Sequence, residues 1–252
     1  MMNNHSNVII IGIGGCSRCG KTLLTKELKN QYKNIINKDS EFTDIISSIH
    51  LDKYFDLDKI SKNIVKTDKG NFYRNWEFPG SLNWDEFYSD IKNEIENINK
   101  KIKNGPFPDK KGILIIEGFL LYSPLFSNEN NKYEYLDLFD YYIYICLDKS
   151  IAKIRRMKTT AVASDYYDFI LWPEHIKYCS EYVEFFEDKI NDNRNVLIID
   201  GNKQYDTKTV ALCIFKWINV FKTCYNDCIP LYNILFIPME DQLNLLKKNF
   251  NK

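Results

Sequence analysis

The residues best suited to chemistry in this sequence lie between Gly15 and Thr22, where the chain reads GCSRCGKT. This order matches G-x-x-x-x-G-K-[ST], the pattern of a loop that wraps backbone amide groups around phosphate oxygens. Gly15 and Gly20 permit backbone angles that a Cβ would block. The ammonium group of Lys21 suits the β- and γ-phosphates of a nucleotide, and the hydroxyl of Thr22 suits Mg²⁺. The segment therefore predicts a nucleotide phosphate site.

The flanking sequence supplies the strand and the helix that such a loop requires. An apolar run, Val8–Ile11, precedes the loop, and apolar residues at helical spacing follow it. A glycine turn with a chance Lys-Thr pair is the structural alternative. The dinucleotide-binding pattern G-x-G-x-x-G fails at its third glycine. The C-x-x-C pair formed by Cys16 and Cys19 has no second ligand pair nearby, so we interpret these cysteines as loop filler.

Two carboxylates follow apolar strands, at the positions where α/β sheets place their ligands. Asp52 comes shortly after the predicted strand Ile45–His50, and Glu117 directly follows the predicted strand Ile113–Ile116. Asp52 is suited to accept a proton from a substrate hydroxyl and to contact Mg²⁺, and Glu117 is suited to hold the water shell of the ion. A turn cap for Asp52 and a solvated strand-end charge for Glu117 are the structural alternatives.

Apolar strands alternate with amphipathic helices along the whole chain. This alternation predicts one α/β domain over residues 1–252, with a parallel, five-stranded sheet, helices on both faces and a small lid. We expect Asp56–Asn75 to be a surface loop or flap. Ala161–Leu171 shows no periodicity. The C-terminal extension, residues 225–252, is predicted to be either a docked helix or a partly ordered tail, and its role is open.

Composition limits the partners and the compartment of this chain. Lys plus Arg and Asp plus Glu are equal at 34 each, so the net charge does not favour nucleic acid or an anionic membrane as a partner. Seven cysteines form an odd number, and no signal peptide precedes them. We therefore expect reduced thiols and a cytoplasmic location. No apolar run approaches the length of a membrane span.

A phosphate loop alone does not distinguish a motor, a GTPase switch and a small-molecule kinase. A GTPase should carry N-K-x-D to read guanine, and the segment Asn37–Ser40 lacks the aspartate. The D-x-x-G pattern at Asp109–Gly112 precedes a strand instead of following one. Phosphoryl transfer needs positioning, charge neutralisation and a proton acceptor, and Asp52 is suited to the last of these. The sequence therefore favours a small-molecule kinase.

Several segments together resemble the nicotinamide riboside kinase family, which belongs to the uridine kinase-like group of P-loop kinases. They lie in order and at compatible spacing between Val8 and Lys203. The Glu-Gly-Phe-Leu-Leu run and the Trp-Pro pair are more specific than the phosphate loop. The segments are Gly12–Thr22, Leu51–Phe55, Ile115–Leu121, Trp172-Pro173 and Lys177-Tyr178.

The resemblance implies Mg²⁺-dependent transfer of a phosphoryl group from ATP to the 5′-hydroxyl of a ribonucleoside. The implied acceptor is nicotinamide riboside, in a salvage step toward NAD. It implies that Asp52 accepts the hydroxyl proton, that Trp76 stacks on the nicotinamide ring, and that Glu77 holds ribose hydroxyls although the family has the shorter aspartate. The sites expected on these grounds are Lys21 and Asp52 for catalysis; Gly15, Cys16, Ser17, Arg18, Cys19, Gly20, Lys21, Thr22, Leu23, Arg155 and Lys203 for the nucleotide; Asp52, Lys53, Tyr54, Phe55, Trp76, Glu77 and Arg156 for the riboside; and Thr22, Asp52 and Glu117 for the metal.

The lid is where the chain departs most from the family. Arg155 and Arg156 match basic lid residues that reach ATP and substrate, and Lys203 falls near the adenine. A further arginine and a second ring-stacking tyrosine of the family are replaced around residues 159–161, where Lys158 is the available charge. A uridine or cytidine kinase and a nucleotide-binding protein with weakened transfer are therefore the alternatives. ATP against GTP as donor and the oligomeric state are open.

Overall fold

A parallel sheet of five strands organises the part of the chain that the computed structural model describes, which is residues 7–35, 42–106, 108–123, 136–159, 163–180, 183, 185–187, 189, 195–218, 220 and 239–250. The strands in these ranges are β1 Val8–Gly15, β2 Phe42–His50, β3 Ile64–Lys66, β4 Phe72–Arg74, β5 Lys111–Gly118, β6 Tyr141–Cys146 and β7 Asn195–Asp200. The five-stranded sheet has the order β2-β5-β1-β6-β7, and every neighbouring pair is parallel. The predicted fold class is confirmed.

Helices cover both faces of this sheet. Leu28 of the first helix and Ile214 of a later one are fully buried on one face, whereas Phe87 and Leu246 are fully buried on the other. No helix within the described ranges is long and apolar enough to cross a bilayer. The helices are α1 Lys21–Ile35, α2 Leu57–Lys62, α3 Trp84–Lys103, α4 Lys149–Thr159, α5 Trp172–Cys179, α6 Thr207–Trp217 and α7 Met239–Phe250.

The strand register brings the chemistry-bearing residues to one edge of the sheet. β1 lies at the centre of the sheet, and the phosphate loop leaves its carboxyl end. His50 at the end of β2 pairs with Glu117 near the end of β5, and Glu117 pairs with Ile13 of β1. Parallel strands therefore place the loop, Glu117 and the segment after β2 side by side.

The expectation that Asp56–Asn75 is a surface loop is wrong, because this segment holds regular structure; the alternative of a mobile flap stays a prediction. It contains α2 and the antiparallel hairpin of β3 and β4. The Asp56 side chain caps α2 by accepting the backbone amide of Lys59 at 3.1 Å. Asn71 and the Tyr73 hydroxyl both donate to Asp165, at 2.7 and 2.8 Å. Asp165, about ninety residues away in the chain, therefore anchors the hairpin. The composition of the hairpin segment alone does not reveal such a distant partner.

Within the segment from Ala161 to Leu171, residues Ser164 to Leu171 are helical, and the missing periodicity has a structural cause. Residues 161 and 162 lie outside the described residues. Ser164–Tyr166 form a helical turn, and Tyr167–Leu171 form a π-helix that continues into α5. Because a π-helix closes i→i+5 bonds, buried residues such as Ile170 do not recur at the spacing of an α-helix.

The C-terminal extension contains a docked helix, α7. Leu246 is fully buried, and the Gln242 side chain accepts the backbone amide of Ile198 at 2.8 Å. Ile198 belongs to β7, the edge strand, so Gln242 satisfies a donor that an open edge would leave unpaired. Of the two predictions for this extension, the docked helix is confirmed for residues 239–250. Residues 225–238 lie outside the described part.

Candidate active site

The phosphate loop requires glycine at both ends of its G-x-x-x-x-G pattern. Gly15 and Gly20 have φ angles of 142° and 114°, which L side chains rarely adopt. A Cβ at Gly15 would also lie 2.6 Å from the Ile145 carbonyl oxygen and 2.7 Å from the Cys19 sulfur. Arg18, inside the loop, has a φ of 67°, which is uncommon for a residue with a Cβ. The loop thus has the special backbone that its sequence predicts.

The Lys21 ammonium group lies inside the loop. It donates to the carbonyl oxygens of Gly15 and Cys16, both at 3.0 Å, and the Cys19 sulfur is 3.9 Å away. Burial lowers the pKa of Lys21, but the nearby Cys19, Glu117 and Asp52 outweigh it, so the pKa is raised above its ordinary value. Lys21 is therefore a charged group at the position where a nucleotide phosphate would need one.

The two loop cysteines, which we interpreted as filler, pack beneath the loop. Cys16 and Cys19 are both buried. Burial raises the pKa of Cys19, but a hydrogen bond from Cys16 and the charge and amide of Lys21 lower it to about 7. Cys19 thus gives the Lys21 ammonium group a partly ionised neighbour in the interior of the loop.

Thr22 and Glu117 meet beside the loop, as a metal site would require. The Thr22 hydroxyl at the start of α1 donates to Oε1 of Glu117 at 2.7 Å. His50 Nδ1 lies 2.7 Å from the same oxygen. The sequence reasoning did not single out His50, although its place in β2, opposite Glu117 in β5, is the signal that a predicted strand register would have provided.

The residues present fit Mg²⁺ held together with a nucleotide. Thr22, Asp52 and Glu117 offer hydroxyl and carboxylate oxygens, which are the donors that Mg²⁺ prefers. Within the described ranges, no group of three or more His, Cys, Asp or Glu side chains could form a protein cage for a metal. Mg²⁺ in phosphoryl-transfer sites keeps one or two carboxylates and takes its other ligands from phosphates and water.

A cavity of about 410 Å³ adjoins the phosphate loop. At the loop end it is lined by Ser17, Arg18, Gly20, Lys21, Thr22 and Leu23. Asp52 and Glu117 line it as well, Asp52 from the 3₁₀ turn Leu51–Tyr54 that follows β2. Partial desolvation in the cavity raises the pKa of Asp52, although the residue is exposed; Lys21 opposes this rise and Glu117 adds to it. A carboxylate with a raised pKa is a better proton acceptor.

Not every residue of the segment after β2 reaches the cavity. Phe55 lines it, whereas Lys53 and Tyr54 do not. Tyr54 turns the other way: its hydroxyl donates to Asp90 at 2.8 Å, and its ring packs edge-on against Phe87 of α3 at 5.1 Å. The structure therefore gives Tyr54 a packing contact away from the cavity.

The cavity lining also contains an aromatic wall, formed by Phe55, Trp76 and Phe119, and a further carboxylate, Glu77. The rings of Phe55 and Trp76 meet edge-on at 5.2 Å, and Phe119 lies 6.0 Å from Phe55. Glu77 accepts a hydrogen bond from the Tyr166 hydroxyl at 3.2 Å. Burial raises the pKa of Glu77 to about 7, against the lowering effects of Arg156 and Tyr166. Phe119 and Tyr166 were absent from the predicted site, because only the fold places them here.

The two lid arginines have different partners. Arg156 lines the cavity and donates to the Ser17 hydroxyl at 3.0 Å, so it bridges α4 and the phosphate loop. Arg155 donates to the Gly201 carbonyl at 3.1 Å, in the turn after β7, where Lys203 lies 3.9 Å from Asp200. Arg155 and Lys203 are thus neighbours of that turn and do not line the cavity. Lys158 is exposed, and residues 160 and 161 lie outside the described part.

Comparison with known proteins points to one group of enzymes, although no family model matches the chain. The chain is 26% identical over 205 residues to nicotinamide riboside kinase 2 of Mus musculus, covering 77% of this chain and 88% of that protein. It is 27% identical over 201 residues to nicotinamide riboside kinase 1 of Homo sapiens, covering 77% and 84%. The chain is similar to nicotinamide riboside kinases over most of its length. The resemblance stated from the motifs is thereby confirmed.

Solved structures add little to this comparison. A possible uridine kinase from Bacillus stearothermophilus is 16% identical, with a TM-score of 0.33, and the match covers 77% of this chain and 90% of that one. A shikimate kinase from Bacteroides thetaiotaomicron is 11% identical, with a TM-score of 0.40, and the match covers 84% and 98%. These scores carry no argument about the site, which rests on the geometry described above.

Proposed function

We propose that this protein is a nucleoside kinase that transfers the γ-phosphoryl group of ATP to the 5′-hydroxyl of nicotinamide riboside. The observation that carries the proposal is the cavity itself. It is lined by Lys21 and Thr22 of the phosphate loop, by Asp52, and by Trp76 and Glu77. A donor phosphate, an acceptor hydroxyl and a base ring would need groups of these kinds within one cavity.

The residues have separate tasks in the proposed transfer. The loop amides and Lys21 bind the β- and γ-phosphates, and Arg156 reaches the same region from the lid through Ser17. Bound Mg²⁺, held by Thr22, Glu117 and Asp52, would neutralise charge on the phosphates. Asp52 accepts the proton that leaves the 5′-hydroxyl as its oxygen forms the new bond to the γ-phosphorus, while the bond from that phosphorus to the β–γ bridging oxygen breaks and ADP leaves.

Recognition of the riboside is assigned to the aromatic wall and to Glu77. Glu77 is suited to accept hydrogen bonds from ribose hydroxyls, with Tyr166 fixing one of its oxygens. The faces of aromatic rings attract cations, and nicotinamide riboside carries a positively charged ring. The similarity to nicotinamide riboside kinases supports the choice of this acceptor.

A riboside panel tests the proposal. The protein is incubated with Mg·ATP and, in turn, nicotinamide riboside, uridine and cytidine, and both ADP and the phosphorylated riboside are measured. We expect nicotinamide riboside to give the highest kcat/KM. A higher value with uridine or cytidine would assign the enzyme to those substrates. Release of ADP at the same rate without any riboside would contradict the kinase assignment. Repeating the assay with GTP in place of ATP identifies the preferred phosphate donor.

Replacing Trp76 by leucine tests the aromatic wall. Loss of a cation–π contact of roughly 0.5–2 kcal/mol should raise KM for nicotinamide riboside by roughly 2- to 30-fold, with little change in KM for ATP. If Trp76 acts only in packing, the variant should instead lose roughly 2–4 kcal/mol of stability and keep its substrate preference. Both constants and the melting temperature are measured, with uridine as an uncharged comparison.

The matched control for this variant is Trp84→Leu. Trp84 is half-buried on α3, where its indole donates to the Pro79 carbonyl at 2.8 Å, and it does not line the cavity. We expect Trp84→Leu to lower the melting temperature without a selective rise in KM for nicotinamide riboside. An equal loss on uridine and nicotinamide riboside in Trp76→Leu would rule out the role of the cation.

The pKa of Glu77 predicts a pH dependence of riboside binding. This pKa is raised to about 7, mainly by burial, so part of the population carries a neutral acid near neutral pH. The ionised form is the better acceptor for hydroxyls and the better partner for a cation. Affinity for nicotinamide riboside should therefore rise by about tenfold between about pH 6 and pH 8. Calorimetric titration checks this, and Glu77→Gln should give weaker binding that is flat over the same range.

A further inference from the structure

Glu117 is held from two sides by contacts that converge on one oxygen. Its Oε1 accepts from the Thr22 hydroxyl at 2.7 Å and lies 2.7 Å from His50 Nδ1. The Glu117 side chain is 7% exposed and that of His50 is 25% exposed. Thr22 belongs to the phosphate-loop motif, but no motif accounts for His50. Its contact with a proposed metal-site carboxylate therefore needs its own explanation.

The hydrogen bonds behind His50 have a consistent direction. Lys29 Nζ lies 3.2 Å from Ser48 Oγ, and because an ammonium group can only donate, Ser48 is the acceptor. Ser48 Oγ lies 3.4 Å from His50 Nε2 and is able to donate its own proton to that nitrogen. Nδ1 then carries the ring proton and donates it to Glu117. The hydrogen bonds from Lys29 through Ser48 and His50 to Glu117 then all run in one direction.

We propose that His50 is a positioning residue for the metal site, which fixes the Glu117 carboxylate beside Thr22 while Ser48 sets the tautomer of its ring. This inference rests on the proposed function, since the cation is that of the metal–nucleotide complex. A free glutamate side chain samples several rotamers, and a second contact on the same oxygen removes that freedom. Partners that orient metal-site carboxylates typically change metal affinity or activity by about 10–100-fold when they are removed.

The register of the sheet explains why this position can serve Glu117. His50 and Glu117 are paired residues on adjacent parallel strands, so their side chains leave the same face of the sheet. Ser48 lies two residues before His50 on β2 and shares that face. Ser47, the residue before Ser48, lies on the opposite face and provides a matched control on the same strand.

Metal binding is the direct test, and it does not depend on turnover. Mn²⁺ bound to the protein in the presence of ADP is titrated by electron paramagnetic resonance for the wild type, His50→Leu and His50→Asn. Asparagine keeps a donor near the position of Nδ1, and leucine does not. We expect His50→Leu to weaken Mn²⁺ binding by about 10-fold or more and His50→Asn to retain most of the affinity. Unchanged Mn²⁺ binding in His50→Leu, or an equal loss in both variants, would overturn the proposal.

The serine pair keeps the proposal testable if His50→Leu does not fold. Ser48→Ala should weaken Mn²⁺ binding in the same direction but by less, and Ser47→Ala should leave it unchanged. Equal effects of the two serine changes would contradict the role of Ser48.

The tautomer of His50 can be observed directly. The chain has three histidines, so ¹⁵N-histidine spectra can identify the signals of His50 by their loss in His50→Asn. Those spectra should show the Nδ1-protonated ring in the wild type, and an Nε2-protonated ring would contradict the proposed direction.

The outcome for His50 is separable from the outcome for the riboside. If the wild type binds Mn²⁺ with ADP but phosphorylates no riboside, the proposed function fails and the role of His50 is still measured. If ribosides are phosphorylated and His50→Leu binds Mn²⁺ as the wild type does, only the role of His50 fails. Melting temperatures with and without Mg·ADP provide a second readout for every variant.

Discussion

Replacing Asp52 by asparagine is expected to lower kcat by about 10²–10⁴-fold while ATP still binds. The carboxamide has nearly the same shape as the carboxylate but cannot accept the hydroxyl proton, and it is a poorer ligand for Mg²⁺. The structure places Asp52 in the lining of the cavity, and partial desolvation there raises its pKa. Steady-state kinetics with nicotinamide riboside, together with ATP titration, measure the two parts of the prediction.

Asp56→Asn is the matched control for this change. Asp56 lies four residues further along the chain, caps α2, and does not line the cavity. The Asp56→Asn change should lower the melting temperature more than it lowers kcat. A kcat for Asp52→Asn within a few-fold of the wild type would show that Asp52 is not the proton acceptor, and the proposed mechanism would then need another base.

Replacing Lys21 by alanine is expected to abolish measurable turnover and to weaken ATP binding. Loss of one preorganised donor to a developing charge costs roughly 10²–10³-fold in rate, and Lys21 also binds the ground-state phosphates. In the described structure its ammonium group lies within the loop, bonded to the Gly15 and Cys16 carbonyls. Calorimetric ATP titration and a coupled ADP assay measure both effects.

Lys26→Ala is the control for charge and helix position, since Lys26 is an exposed residue of the same helix, α1. It should leave ATP binding and turnover unchanged. Lys21→Ala removes partners of two loop carbonyls, so its circular dichroism spectrum and melting temperature are compared with those of the wild type. A folded Lys21→Ala variant with normal ATP affinity would show that the loop is not the phosphate site.

The residues that line the cavity bear on one alternative left open by the sequence, a nucleotide-binding protein with weakened transfer. An intact Asp52 and the Thr22–Glu117 contact favour a working transfer site over a protein that only binds nucleotides. The residues around 159–161, where the sequence departs from the family pattern, follow Arg156 in the chain, and Arg156 contacts Ser17. If turnover is slow while ATP and riboside bind normally, the changed lid residues affect the transfer step and not substrate binding.

The sequence by itself determined the parts of this protein that depend on consecutive residues. The phosphate loop needs Gly15, Gly20, Lys21 and Thr22 at fixed spacing, and the structure gives both glycines the positive φ angles that this spacing implies. The apolar, β-branched strand runs determined a parallel sheet, because only strands buried on both faces tolerate such runs. These features are local, so a single chain segment contains all the information that they need.

Only the tertiary structure decided which distant residues complete the site. His50 and Glu117 meet because β2 and β5 pair in one register, although 67 residues separate them. Tyr54 belongs to a predicted substrate segment, but packing against Phe87 turns it away from the cavity. Tyr166 reaches Glu77 across 89 residues. Strand register, turn direction and side-chain packing fix such contacts, and these are properties of the assembled fold, which local patterns do not encode.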